Sequence, residues 1–115
     1  MSDITIYHNP RCSKSRQTLA LIQERGIEPN IVEYLQTPPD VETLRQLLAM
    51  LNLAPRALTR VKEEVYQTEG LADVDDETLL AAMTEHPILI ERPVVVRGER
   101  AIVGRPPENV LELLE

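Results

Sequence analysis

Cys12 is the only cysteine of the chain, and it lies in the stretch His8-Asn9-Pro10-Arg11-Cys12-Ser13-Lys14-Ser15-Arg16. Four potential cations, His8, Arg11, Lys14 and Arg16, crowd this thiol in a protein of formal net charge −7. The thiolate, not the thiol, is the nucleophile, and positive surroundings or a helix N-terminus hold its pKa below the free value of about 8.5. Asn9 and Pro10 are turn residues and a helical pattern follows them, so Cys12 falls where a helix begins. Unpaired N–H groups and the helix dipole favour an anion there. Ser15 lies within reach of the sulfur across the first turn, and a protonated His8 would lower the thiol pKa further. The other reading of a free cysteine is a small buried hydrophobe. Pro10-Arg11 and Ser13-Lys14 are poor neighbours for burial, so the stretch predicts a reactive thiolate with an anionic substrate.

Several chemistries are excluded by what surrounds this thiol. A dithiol oxidoreductase needs a second cysteine three residues on, but that position is Ser15; reducing equivalents must come from an external thiol. A phosphatase-style loop needs an arginine six residues after the cysteine, and that position is Thr18, with Arg16 too early. One cysteine and two histidines give no convincing metal spacing. Asp73, Asp75, Asp76 and Glu77 read as a helix start, because the glycine of a calcium loop is missing.

The elements that must carry Cys12 are legible from periodicity. Ile4 to Tyr7 predicts a strand and Ser13 to Arg25 a helix, with Leu19, Leu21 and Ile22 on one side and Gly26 as its stop. Asn30 to Tyr34 predicts a second strand. Thr37-Pro38-Pro39-Asp40 predicts a helix start, followed by Leu44, Leu47, Leu48 and Leu51 at amphipathic spacing. A short helix over Pro55 to Glu64 is expected to turn Leu58 and Val61 inward. Asp75 to Glu77 opens a helix with Leu79, Leu80 and Met83 on one face, bounded at His86-Pro87. Pro93 to Arg97 and Arg100 to Val103 predict a hairpin through Gly98-Glu99, and Pro106-Pro107-Glu108 starts a last helix carrying Val110, Leu111 and Leu114. This order implies an α/β protein: one domain over residues 1–115, with a mixed four-stranded sheet of the thioredoxin/glutaredoxin type. A helical insertion over about residues 40–86 precedes the C-terminal hairpin and helix.

Composition narrows the partners. The acidic balance and a sequence pI near 4.8 argue against a phosphate-backbone ligand, and the absence of Phe and Trp removes the usual stacking platforms for single strands. No apolar run is long enough to cross a membrane, and the amino terminus has neither the basic flank nor the apolar core of a signal peptide. A lone thiol fits a reducing, cytoplasmic setting. Ten of the twelve basic residues are arginine, the side chain suited to bidentate recognition of oxyanions.

The stretches ITIYHNPRCSKSR, PRALTR, HPILIERPVVV and GRPPENVLELL together resemble the arsenate reductases coupled to glutathione and glutaredoxin. The resemblance implies an oxidoreductase on a thioredoxin-like fold, with arsenate as substrate, glutathione as co-substrate, glutaredoxin as partner and no bound cofactor or metal. It implies that Cys12 is the nucleophile forming a thioarsenate adduct and that His8 lowers its pKa. Arg60, Arg92 and Arg105 match three oxyanion-binding arginines, and Asn9, Ser15, Arg16 and Pro93 match supporting positions. Pro93 falls where these folds keep a cis-proline facing the nucleophile. Ser13-Lys14 stands where other members have Gly-Thr, and the chain is expected to belong to a short branch without a longer tail. Two alternatives use the same fold: a glutathione-dependent thiol/disulfide oxidoreductase, and a non-enzymatic regulator of the kind that binds RNA polymerase.

Overall fold

The computed structural model describes residues 3–115, which fall into two compact units. The first joins the amino-terminal segment, up to Thr37, to Arg92–Glu115. It begins with β1 (Ile4–His8) and α1 (Ser13–Glu24), continues with β2 (Asn30–Glu33), and ends with β3 (Val94–Arg97), β4 (Arg100–Val103), a 3₁₀ turn at Pro107–Val110 and α5 (Leu111–Leu114). The sheet is mixed and four-stranded, in the order β2-β1-β3-β4. β1 runs parallel to β2 and antiparallel to β3, and β3 runs antiparallel to β4. The hairpin turns at Gly98, whose φ of 62° lies in the left-handed region that glycine adopts without a Cβ penalty.

Alternation along β1 buries Ile4, Ile6 and His8 on one side, as a period of two requires. The helical period of α1 buries Ser15, Thr18 and Ile22. Ile4, Ile6, Ile22, Val95, Val110, Leu113 and Leu114 form one apolar cluster, with Leu19, Leu21, Ile27, Ile102 and Leu111 packed on it. The sheet, α1 and the C-terminal turn-helix segment thus share a core built of aliphatic side chains, which is the arrangement expected from the sequence.

The register sets up function. His8 pairs with Glu33, Tyr7 with Val94, and Val94 with Val103. The ends of β1, β2 and β4 and the beginning of β3 therefore meet at one edge of the sheet. The loops carrying Cys12, Gln36, Arg92 and Arg105 all leave from that edge.

The second unit, Pro38–Glu91, is helical: α2 (Val41–Leu51), α3 (Glu64–Thr68) and α4 (Asp76–Glu85), with 3₁₀ turns at Pro55–Leu58, Leu71–Asp73 and Pro87–Leu89. Leu44, Leu47, Leu48, Leu58, Leu79, Leu80, Met83 and Leu89 are buried. Asp40 and Asp75 cap α2 and α4, each carboxylate accepting the N–H of the residue three on, as helix N-caps do. Two expectations are corrected. The start of α2 is capped by Asp40 and not by Thr37, because the two prolines precede the helix and Pro38 disfavours helical geometry at Thr37. The helix expected over Pro55 to Glu64 is a single 3₁₀ turn ending at Leu58, after which Val61 is exposed and α3 begins only at Glu64.

Candidate active site

Cys12 is the N-cap of α1, in extended geometry (φ −96°, ψ 122°), and its own side chain makes no capping bond. Its N–H donates to Asn9 O at 3.0 Å and its carbonyl accepts from Arg16 N at 3.0 Å. Asn9 Oδ1 accepts the Arg11 N–H at 3.0 Å, and Arg16 donates to Pro10 O at 2.9 Å. The turn before the helix is thus held from both sides, with a half-buried thiol at its exit.

The thiol pKa is set by opposing effects. Burial raises it, but the backbone N–H groups of Ser15 and Lys14 and the charge and hydrogen bond of Arg92 outweigh burial, and the net shift is downward. The N–H contributions are those of a helix start, whose first donors have no intrahelical acceptor. A sulfur held by these groups is an anion at a lower pH than a free thiol.

Ser15 and His8 take other roles than expected. The Ser15 hydroxyl has no exposed surface and turns away from sulfur, accepting the Asn9 N–H at 3.0 Å and meeting His8 Nδ1 at 2.6 Å. Only the backbone of Ser15 faces Cys12. His8 is buried, and desolvation first, then the Arg16 charge, lower its pKa against the opposing pull of Glu33. Its imidazole is therefore neutral at neutral pH. The Ser15 hydroxyl, accepting the Asn9 N–H with one lone pair, bonds Nδ1 in either tautomer of the ring: it donates to a bare Nδ1 or accepts from a protonated one with its second lone pair. Burial and the Arg16 charge thus disfavour the cationic form of His8 beside the thiol, against the pull of Glu33. The Ile4, Ile6, His8 alternation already carried the signal that His8 points inward.

Arg92 and Arg105 come from the other half of the same edge. Arg92 immediately precedes β3 and Arg105 follows β4; the Arg105 guanidinium donates to Arg92 O at 3.4 Å. The Arg92–Pro93 and Arg105–Pro106 bonds are cis. Gly104 is buried between Pro93 and Thr18: its N–H donates to Pro93 O at 2.9 Å, and Thr18 Oγ1 bonds Lys14 O at 2.8 Å and approaches Gly104 O at 3.4 Å. Thr18 and Gly104 thereby join α1 to the arginine-bearing loops, a link that sequence reasoning missed. The available signal was the Ser15, Thr18, Ile22 spacing on the inward face of α1.

The first unit thus brings together His8, Asn9, Cys12, Ser15, Arg16, Arg92, Pro93 and Arg105. Arg60 belongs to the second unit. There its guanidinium pairs with Glu63 at 2.7 Å, and its N–H donates to Leu89 O at 2.7 Å, beside the bridge between Thr59 and Ile90. Among the described residues no cluster of three or more His, Cys, Asp or Glu side chains could hold a metal, and no helix is long and apolar enough to cross a membrane.

A mixed four-stranded sheet with its one thiol at a helix start and two arginines across the same edge defines a thioredoxin-like protein built around a single thiol of lowered pKa. The ArsC family pattern matches residues 7–113, and the chain belongs to that family. It is 47% identical over 117 residues to an arsenate reductase of Neisseria meningitidis, covering 99% of this chain and 100% of that protein. It is 52% identical over 114 residues to the uncharacterized protein YfgD of Escherichia coli, covering 96% of each. Among solved structures, the arsenate reductase from Vibrio cholerae superposes with a TM-score of 0.92 at 53% identity, covering 95% of each chain.

Proposed function

We propose that this protein is an arsenate reductase that draws its electrons from glutathione and glutaredoxin. The observation that carries the reading is the Cys12 sulfur at the start of α1, with its pKa lowered by helix N–H groups and Arg92, while Arg105 is tied to the backbone of Arg92. Its membership of a family with relatives named arsenate reductase supports the same reading.

The chemistry follows from charge. Arsenate is a multiply charged tetrahedral anion, and an attacking thiolate is repelled by it. Arginine forks hold such oxygens bidentately and offset the charge that develops. The Cys12 thiolate forms a sulfur–arsenic bond and an arsenate oxygen leaves as water after taking up protons. A glutathione thiolate then attacks the Cys12 sulfur: the sulfur–sulfur bond forms, the sulfur–arsenic bond breaks, and its electron pair reduces As(V) to As(III). Arsenite departs, and a glutaredoxin thiolate takes the glutathionyl group to regenerate the Cys12 thiolate. The external reductant is required because no second cysteine exists in the sequence.

Arg92 and Arg105 are assigned to the oxyanion. Arg60 is assigned the same task on its motif match alone. His8, neutral and buried, acts through Ser15 to hold the turn. The reaction suits the reducing cytoplasm, where glutathione is abundant. In a glutaredoxin-coupled assay, added arsenate makes the protein consume NADPH, and Cys12→Ser abolishes the consumption. Absence of arsenate-dependent oxidation with every component present overturns the proposal. Arg92→Ala and Arg105→Ala variants that keep full activity at low arsenate point instead to a thiol reductase with another substrate.

A further inference from the structure

We infer that Arg56 is a positioning residue: its guanidinium fixes the backbone segment from which Arg60 is to take up the oxyanion. The inference rests on the oxyanion role proposed for Arg60 and deepens it by naming what holds that arginine in place.

Arg60 needs such support. It comes two residues after the 3₁₀ turn Pro55–Leu58, and a turn of this kind, with its poorer hydrogen-bond geometry, is a weak anchor on its own. The arginine side chain is long and rotates freely, so the place of its backbone decides which oxygens the fork can meet. A misplacement of about 1 Å in a substrate-positioning group can cost about a hundredfold in rate.

Arg56 is the anchor. It is half-buried, and one terminal nitrogen donates to the Tyr66 hydroxyl at 2.6 Å and to Leu71 O at 2.9 Å. The other donates to Val74 O at 2.8 Å. One planar fork thus gathers three acceptors that lie 10, 15 and 18 residues further along the chain. None of the three is a carboxylate, so the fork's fixed geometry, and not an opposite charge, is what this place uses. The turn that carries Arg56 is thereby tied to α3 and to the 3₁₀ turn Leu71–Asp73 with the residue after it.

From Arg56 the order passes to Arg60 through consecutive bonds. Arg56 O accepts the Thr59 N–H at 3.2 Å, and the Thr59 hydroxyl donates to Pro55 O at 2.8 Å. Thr59 is buried and pairs with Ile90 in an isolated antiparallel bridge. On either side of that bridge, the Glu91 N–H donates to Leu58 O at 2.8 Å and the Arg60 N–H to Leu89 O at 2.7 Å. Arg60 therefore leaves from a backbone pinned on one side by Leu89–Glu91 and on the other by Arg56. Only its side chain, paired with Glu63, is left to move.

The test is a double-mutant cycle with a readout that needs no turnover. Arg56→Lys keeps the charge, but a single nitrogen cannot stand where two did. Amide hydrogen exchange is expected to quicken at Thr59, Arg60 and Glu91. In the glutaredoxin-coupled assay the KM for arsenate rises about threefold with kcat unchanged, part of the roughly tenfold rise when Arg60→Ala removes a charge-assisted contact. In the Arg60→Ala background Arg56→Lys adds nothing to KM, although the thermal midpoint still falls. A merely structural role would raise KM equally in both backgrounds. An unchanged KM in either single variant, or an equal rise with and without Arg60, overturns the inference. If Arg56→Lys does not fold, Tyr66→Phe removes one acceptor, keeps the ring and enters the same cycle. If the wild type turns over no arsenate, the reductase reading falls and exchange decides alone: quicker rates at Arg60 and Glu91 keep the clamp, and unchanged rates overturn it.

Discussion

Gly104→Ala is the sharpest test of how the two halves of the site are joined. A Cβ added at Gly104 would stand 2.5 Å from Thr18 Oγ1, 2.9 Å from Pro93 Cγ and 3.0 Å from Thr18 Cγ2. Comfortable carbon contacts lie at about 3.5–4.0 Å, so α1 and the loop must separate by roughly 1 Å. Neither neighbour yields easily. Thr18 is β-branched and fully buried, with its hydroxyl bonded to Lys14 O, and Pro93 is a closed ring. Overpacking of this kind costs about 1–3 kcal/mol. At roughly 4 °C per kcal/mol for a domain of this size, the midpoint of thermal unfolding falls by about 4–12 °C. Circular dichroism suits the measurement, since the chain has no tryptophan. The movement also carries Arg105 away from Cys12, so the KM for arsenate rises. Thr18→Ala removes two of the three close contacts, so the double variant loses less than the sum of the single losses. A Gly104→Ala protein within about 0.5 kcal/mol of the wild type, or fully additive losses, would refute the packing argument.

Other predictions concern protons and caps. Alkylation of Cys12 against pH has its midpoint below the free-thiol value, and Arg92→Ala moves it upward; an unchanged midpoint removes Arg92 from the thiolate's support. Because the folded thiol pKa lies below the unfolded one, its contribution to stability is full above the unfolded pKa and is lost as pH falls through the folded one. Urea titrations of wild type and Cys12→Ser at several pH values read this directly, with the wild type's advantage shrinking toward acid. Ser15→Ala leaves the buried His8 ring and the Asn9 N–H without the hydroxyl that joins them. Such a loss costs about 1–3 kcal/mol, and an unchanged urea midpoint would show the hydroxyl to be dispensable. Asp40→Ala lowers the urea midpoint at neutral pH. Thr43 holds the Asp40 carboxyl below its usual range, so the charge-dependent part of that loss disappears as pH falls through the folded carboxyl pKa.

Most of the sheet was readable because its strands are short, β-branched and bounded by turn residues. Cys12 at a helix start followed from Asn9-Pro10 and the apolar spacing after it. The second unit was less legible for local reasons. Prolines at 38 and 39 fit either the first turn of a helix or the residues just before it, and only the Asp40 hydrogen bond decides between them. Leu58 and Val61 have helical spacing, yet the 3₁₀ turn ends between them and turns Val61 out. The inward hydroxyl of Ser15 escaped sequence reasoning because a position beside a cysteine suggests contact with sulfur. Its direction depends on which face of α1 meets β1. The Thr18–Gly104 contact joins distant parts of the chain, and no local pattern announces it.

The convergence of strand ends at one edge has a consequence for synthesis and for damage. Cys12 emerges early from the ribosome, and Arg92 is made long after it. Until β3 pairs with β1, the sulfur lacks the Arg92 guanidinium, and until α1 forms it lacks the helix N–H groups. A thiol without either stays largely protonated at neutral pH and is a poor target for oxidants and electrophiles. Part of that protection returns when β3 and β4 detach in a partly unfolded molecule, because Arg92 leaves while the N–H groups of α1 stay. Full reactivity thus needs both the helix start and the completed sheet, and a chain lacking both carries its cysteine in an inert form.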